Sequence, residues 1–240
     1  MDTGAWGLIA GAALLGVTHT ALGPDHTLPF VMLARAQSWS RRRTLWVTFL
    51  CGLGHVASAL LLVGVGFAVG KMLVGVPSYR EWLAEFDGVR GSLAGWGFVA
   101  IGVAYGLWGI RHAIRKRAGL APHEHDGHVH IHRHGQDAHR HPERSNSKAT
   151  FWMLFTLLVL GPCEPLIILF LPLAATGRWS LLAASGAVFA LATVATMLGL
   201  VALAYTGLMR VPLGRFERWS HALAGGVIAS CGLAVVFLGL

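Results

Sequence analysis

The chain has 240 residues, 55% of them hydrophobic and only 12% charged, with a mean hydropathy of +0.60. Soluble domains carry roughly 25% charged residues, so a soluble globular domain is excluded. The formal net charge of +8 is gathered in short loops, which suits membrane topology and not nucleic-acid binding.

Six apolar stretches are long enough to cross a hydrocarbon core, which takes about 20 helical residues. The first runs from Ala5 to Ala34 and is interrupted at Gly23-Pro24-Asp25-His26. Only Met1 and Asp2 precede it, without a basic n-region, so it is read as a helix that stays and not as a cleaved signal. The second runs from Leu45 to Gly70, and the third from Ser92 to Ile110. Before the third, Tyr79–Arg90 mixes charge with aromatics and predicts a helix lying along the membrane surface. The fourth runs from Thr150 to Leu173 and is interrupted at Gly161-Pro162-Cys163-Glu164-Pro165; the fifth covers Ser180–Leu208 and the sixth His221–Leu240. The runs are too long for barrel strands and lack period-two alternation, so the fold class is an all-α membrane protein with six transmembrane helices.

Fifteen of the 19 Lys and Arg residues fall on one side of this arrangement, among them Arg35, Arg41, Arg42, Arg43, Arg111 and Arg115. The remaining four, Lys71, Arg80, Arg90 and Arg178, fall on the other. The rich side is expected to be cytoplasmic, which leaves both termini extracytoplasmic in the cytoplasmic (inner) membrane.

The sequence also repeats. Leu22-Gly23-Pro24-Asp25-His26 aligns with Leu160-Gly161-Pro162-Cys163-Glu164, 138 positions later. Leu93, Ala94, Gly95, Gly102, Ala104 and Gly109 match Leu223, Ala224, Gly225, Gly232, Ala234 and Gly239, 130 positions later. A repeat of three helices must invert its orientation. The predicted plan is a 3+3 inverted repeat with helices 1 and 4 broken: residues 1–112, a His-rich cytoplasmic loop at 113–149, and residues 150–240. Paired broken helices in inverted repeats bring a transport site to the breaks.

Ionisable side chains inside a membrane are costly and usually functional. His19, Asp25, His26, His55, Cys163 and Glu164 are the candidate metal ligands. Imidazole with carboxylate suits Ni, Co, Zn, Fe or Mn over alkali ions, and a Cys163 thiolate would favour the softer of these. His19 and His26 would lie about 10.5 Å apart along an unbroken helix. They share one ion only if the Gly23-Pro24 break folds them together; otherwise they are successive stations. His55 follows Gly52-Leu53-Gly54, where small residues permit close helix contact. Cys51 and Cys231, in apolar runs without a CxxC, are expected to pack, and His112 and His221 to sit at helix ends near the cytoplasmic surface.

Eight of the 13 histidines crowd the loop: His123, His125, His128, His130, His132, His134, His139 and His141. Such a tract builds no core and reads as a flexible segment that binds metal weakly at several points. Its irregular, mid-chain placement argues against an appended tag.

His19-Thr-Ala-Leu-Gly-Pro-Asp25-His26 resembles the first-helix signature of the nickel/cobalt transporters, the NicO and NiCoT-like families. The architecture is similar to that of the six-helix nickel/cobalt efflux proteins with a histidine-rich loop, and of the related urease-accessory membrane proteins. Gly-Pro-Cys163-Glu164-Pro resembles a Pro-Cys motif of the same superfamily. The resemblance implies metal-ligand roles for His19, Asp25 and His26. The family spacing is His-x4-Asp-His, and this chain departs from it with His-x5-Asp-His.

The expected function is a secondary transporter, not an enzyme, moving nickel or cobalt and leaning to export by resemblance. The ion is cargo and no cofactor is required. The partners are the divalent cation and the bilayer, with the chain alone or as a homo-oligomer. Two alternatives stand: a membrane thiol-redox carrier pairing Cys163 with Cys51, and an anion or amino-acid exporter. The latter needs a cationic site, and no Arg or Lys is expected near the breaks.

Overall fold

The computed structural model describes residues 3–72, 79–117, 120–125, 128–133, 147–161, 170, 173, 177–212 and 214–239. Among the described residues, seven α-helices have defined bounds: α1 (Thr3–Leu22), α2 (Leu28–Ala36), α3 (Arg41–Met72), α4 (Tyr79–Arg117), α5 (Ser147–Leu160), α6 (Trp179–Arg210) and α7 (Ser220–Leu238). Between α4 and α5 lie two strands, β1 (Leu120–His125) and β2 (His128–Arg133). Five helical segments are long and apolar enough to cross a membrane: Gly4–Leu22, Arg41–Val65, Gly88–Arg115, Trp179–Arg210 and Phe216–Leu238. The chain is therefore a multi-pass membrane protein. Its outer surface agrees, since Leu22, Leu61, Leu191, Leu203 and Phe237 all stand exposed, a pattern suited to lipid and not to water.

The first span is broken where the sequence predicts. Pro24 has no N–H to continue the ladder, and the Gly23 N–H closes the last turn of α1 on the His19 carbonyl at 3.0 Å. Gly23 is extended at φ −75°, ψ 105°, and Pro24–His26 form one 3-10 turn. α2 then begins with Pro29 in its first turn, where a missing donor is harmless. This nine-residue half-helix buries Phe30, Val31, Leu33, Ala34 and Ala36, so it runs through the protein interior.

Two expectations are corrected. Tyr79–Arg90 is not a separate surface helix: α4 runs unbroken for 39 residues. That is about 58 Å at 1.5 Å per residue, against a hydrocarbon core of about 30 Å, so α4 is long enough to outrun the membrane by several turns. The loop is not wholly irregular either, because β1 and β2 pair antiparallel, with His123 opposite His130 and His125 opposite His128. α5, 14 residues long, is the first half of the expected fourth span and stops at its expected break. It ends at Leu160, and most of the stretch that would complete the fourth span lies outside the described residues.

Glycine lets the helices meet backbone to backbone. A methyl on Gly102 of α4 would lie 2.7 Å from the Gly225 carbonyl of α7, and one on Gly232 would lie 2.7 Å from the Val99 nitrogen. One on Gly95 would lie 3.2 Å from the Gly232 carbonyl. Gly95, Gly102 and Gly109 are seven apart, close to two helical turns, so they form one smooth face. Gly16 admits α6 at Phe189, and Gly54 admits Phe155 of α5. A core of Phe30, Leu33, Cys51, Phe98, Leu154, Leu158, Met197 and Ile228 fills the interior, so Cys51 packs as expected.

One end of the bundle is tied by polar contacts. Arg35 donates to the Leu208 and Val211 carbonyls and pairs with Glu217 at 2.8 Å. Tyr205 donates to the Trp39 carbonyl at 2.9 Å. The His221 ring lies 2.8 Å from the Tyr105 hydroxyl, edge-on to His112 and Trp108. These residues lie at the helix ends that carry most of the basic side chains.

Candidate metal centre

The break at Gly23 turns His26 back toward the end of α1. His19, from the last turn of α1, and His26, from the 3-10 turn, bring their ring centroids to 5.1 Å. His55, from the middle of α3, stands 5.0 Å from His26 and 6.1 Å from His19. One ring nitrogen from each of the three lies within 4.8 Å of the others. The Nε2 atoms of His26 and His55 are 3.5 Å apart. Nitrogens bound to one ion at about 2.0–2.1 Å sit roughly 3–3.5 Å from one another. His26 and His55 already have that separation, and His19 needs only a small approach.

The remaining ring atoms fix which nitrogen faces the centre. His55 Nδ1 donates to the Leu158 carbonyl at 2.8 Å, which leaves Nε2 its lone pair. Asp25 Oδ1 lies 3.0 Å from His26 Nδ1. A carboxylate behind a ligating imidazole holds the ring and raises its basicity. Asp25, His26 and His55 are all at most 3% exposed, while His19 is half-buried. His19 Nε2 is buried with no hydrogen-bond partner among the described residues.

Glycine is required beside this group for room, not for backbone freedom. A methyl on Gly23 would lie 2.9 Å from Asp25 Oδ1 and 3.0 Å from His26 Cε1. At Gly161 a methyl would lie 3.6 Å from the His55 ring, so the second break reaches the same place.

Of the candidate ligands, His19, His26 and His55 converge, and Asp25 stands behind His26. Cys163 and Glu164 lie outside the described residues. In the loop, His123 and His125 lie in β1 and His128, His130 and His132 in β2, while His134, His139 and His141 lie outside the described residues. His112 and His221 sit at the helix ends, away from the trio, as expected.

The reading that no basic side chain approaches a break is overturned. Arg90 of α4 is 9% exposed and donates to the Val159 carbonyl at 2.9 Å and the Gly161 carbonyl at 3.4 Å. Ser58 of α3 donates to the same Val159 carbonyl at 2.9 Å. Sequence reasoning missed Arg90 because it closes a charged, aromatic segment and reads as the end of a surface helix.

Comparison with protein-family models, with curated proteins and with solved structures gives no match.

Proposed function

We propose that this chain is a secondary transporter of a divalent transition-metal cation, nickel or cobalt foremost, oriented toward export. The observation that carries the reading is the convergence of three imidazoles, two buried and one half-buried, at the break of a membrane helix. A structural histidine needs one hydrogen-bond partner. Three facing one another, with two nitrogens at ligand separation and one without a partner, make a donor set that a cation completes. Imidazole nitrogen favours Ni, Co, Zn and Cu over Mg or Ca. Three protein donors leave coordination positions open, which suits cargo that must enter and leave.

We further propose six spans built as a 3+3 inverted repeat, in the cytoplasmic membrane with both termini outside. The seam between α4 and α7 supports this. A two-fold axis relating residue i to residue i + 130 turns the contact of Gly232 with Gly95 and Val99 into one of Gly102 with Gly225 and Ala229. Both contacts are present. The proximity of Gly161 to His55 supports a site shared by the two breaks, where Glu164 and Cys163 of the second half would join the trio. Rocking of the halves about the breaks alternates access. Metal binding requires unprotonated ligands, so protons are the natural counter-cargo.

The test is metal accumulation in cells with and without the protein, across Ni, Co, Zn and Mn, repeated with the His26→Ala, His55→Ala double variant at matched expression. Lowered accumulation of nickel or cobalt, lost in the double variant, supports the reading. No change for any of the four metals, in either direction, overturns it.

A further inference from the structure

The second break removes the helical donors of two acceptors. In a continuing helix the Leu158 carbonyl would receive the N–H of residue 162, and the Gly161 carbonyl that of residue 165. Both positions are proline and have no N–H to give. Water is scarce at membrane depth, so each freed carbonyl must find a donor in the protein.

The donors come from two neighbouring helices. His55 of α3 takes Leu158 at 2.8 Å, with the Gly161 N–H also on that carbonyl at 3.0 Å. Arg90 of α4 takes Gly161 at 3.4 Å and bridges to Val159 at 2.9 Å. A guanidinium fits because one terminal nitrogen, Nη2, carries two N–H groups and serves both carbonyls, and because the C-terminal end of a helix carries partial negative charge. The last turn of α5 thus lies between a charged clamp on one side and a metal-facing imidazole on the other.

We propose that Arg90 is a positioning residue for the metal centre. By holding the Val159 and Gly161 carbonyls it fixes the end of α5, which fixes the Leu158 carbonyl and, through it, the ring of His55. The proposal rests on the trio being a metal site. It adds a long-range link, in which α4 reports on the geometry of a centre built from α1 and α3. Without the clamp the end of α5 shifts, the His55 ring rotates off the common point, and the three-imidazole set falls to two.

The test is Co(II) titration of the purified full chain in detergent, read by calorimetry and by visible absorption, which reports the number and geometry of nitrogen donors. Arg90→Gln should weaken Co(II) binding on the order of 10- to 100-fold, the usual effect of losing an outer-shell partner, and change the visible spectrum. Arg90→Lys keeps the charge but its ammonium ends one bond short of the Nη2 position, so it holds the two carbonyls less closely and should give a smaller loss with the same spectral change. Arg111→Gln removes an equal charge from the exposed end of α4 and should leave both readouts as in the wild type. An unchanged spectrum and an affinity within twofold of wild type in Arg90→Gln overturn the proposal. Should that variant fail to fold, wild-type behaviour of Arg90→Lys overturns it. A wild-type chain that binds no Co(II) removes the metal-site reading itself, and this proposal with it.

Discussion

Replacing Gly23 with alanine tests the metal centre without touching a ligand. The backbone there is extended at φ −75°, ψ 105°, which alanine adopts freely, so no conformational penalty enters. What changes is one methyl group. Its carbon would lie 2.9 Å from Asp25 Oδ1 and 3.0 Å from His26 Cε1, closer still to His26 Nδ1, where ordinary contact begins at 3.4 Å. The carboxylate must therefore recede by about 0.5 Å and the His26 ring by more, while a metal–ligand bond tolerates about 0.2 Å. Misplacement on this scale costs up to about 100-fold. That is roughly 2.8 kcal/mol at 1.4 kcal/mol per tenfold. Calorimetric titration with Ni(II) or Co(II) reads it directly. Gly11→Ala is the control, because the position is on the same span and a methyl there meets nothing within 4 Å. Gly23→Ala binding metal within twofold of wild type, with Gly11→Ala unchanged, would refute the reasoning, since His26 would then not need its observed place.

Asp25→Asn keeps the shape beside His26 and removes the charge; binding should weaken on the order of 10- to 100-fold, less than in His26→Ala, and equal affinity in all three proteins would make the carboxylate merely structural. Gly225→Val places a side chain 2.6 Å from the Gly102 carbonyl, so the thermal midpoint in detergent should fall sharply, while Gly226→Val, with nothing within 4 Å, should barely move it. Deleting Pro122–Pro142 should reduce the number of metal equivalents bound and leave transport in place; complete loss of transport in a well-expressed deletion would put the loop on the transport path.

How much was legible can be argued residue by residue. The Gly23-Pro24 break was readable because proline chemistry is local: the missing N–H ends α1 whatever surrounds it. Asp25 and His26 were readable for the same reason, being polar groups placed at that break. Whether His19 and His26 share a site was not readable, because the angle of the turn depends on how α2 packs. His55 carried only an indirect signal in Gly52 and Gly54, which let α6 and α5 approach. Arg90 was misread because its partners are carbonyls, and carbonyls leave no trace in a residue alphabet. Pro162 and Pro165 were the available clue, since each proline announces an acceptor four residues earlier in need of a donor. The extent of α4 was misread because charge and aromatics suggest a surface, whereas helical hydrogen bonding continues through them.

The glycine seam of α4 and α7 bears on how such a protein can change shape. Where two helices touch through side chains, rotamer changes let one slide along the other. Here Gly102, Gly109 and Gly225 face peptide groups of the neighbouring helix, where there is no side chain to rearrange. A slip of one residue, about 1.5 Å, would drive Phe98 or Val99 into backbone. The pair therefore has one stable register and behaves mechanically as a single double-width strut. Translation along the membrane normal is closed to it, and so is rotation of either helix about its own axis. The degrees of freedom left to the protein are those of its other helices pivoting around this strut, at the two places where proline has already cut the helical ladder.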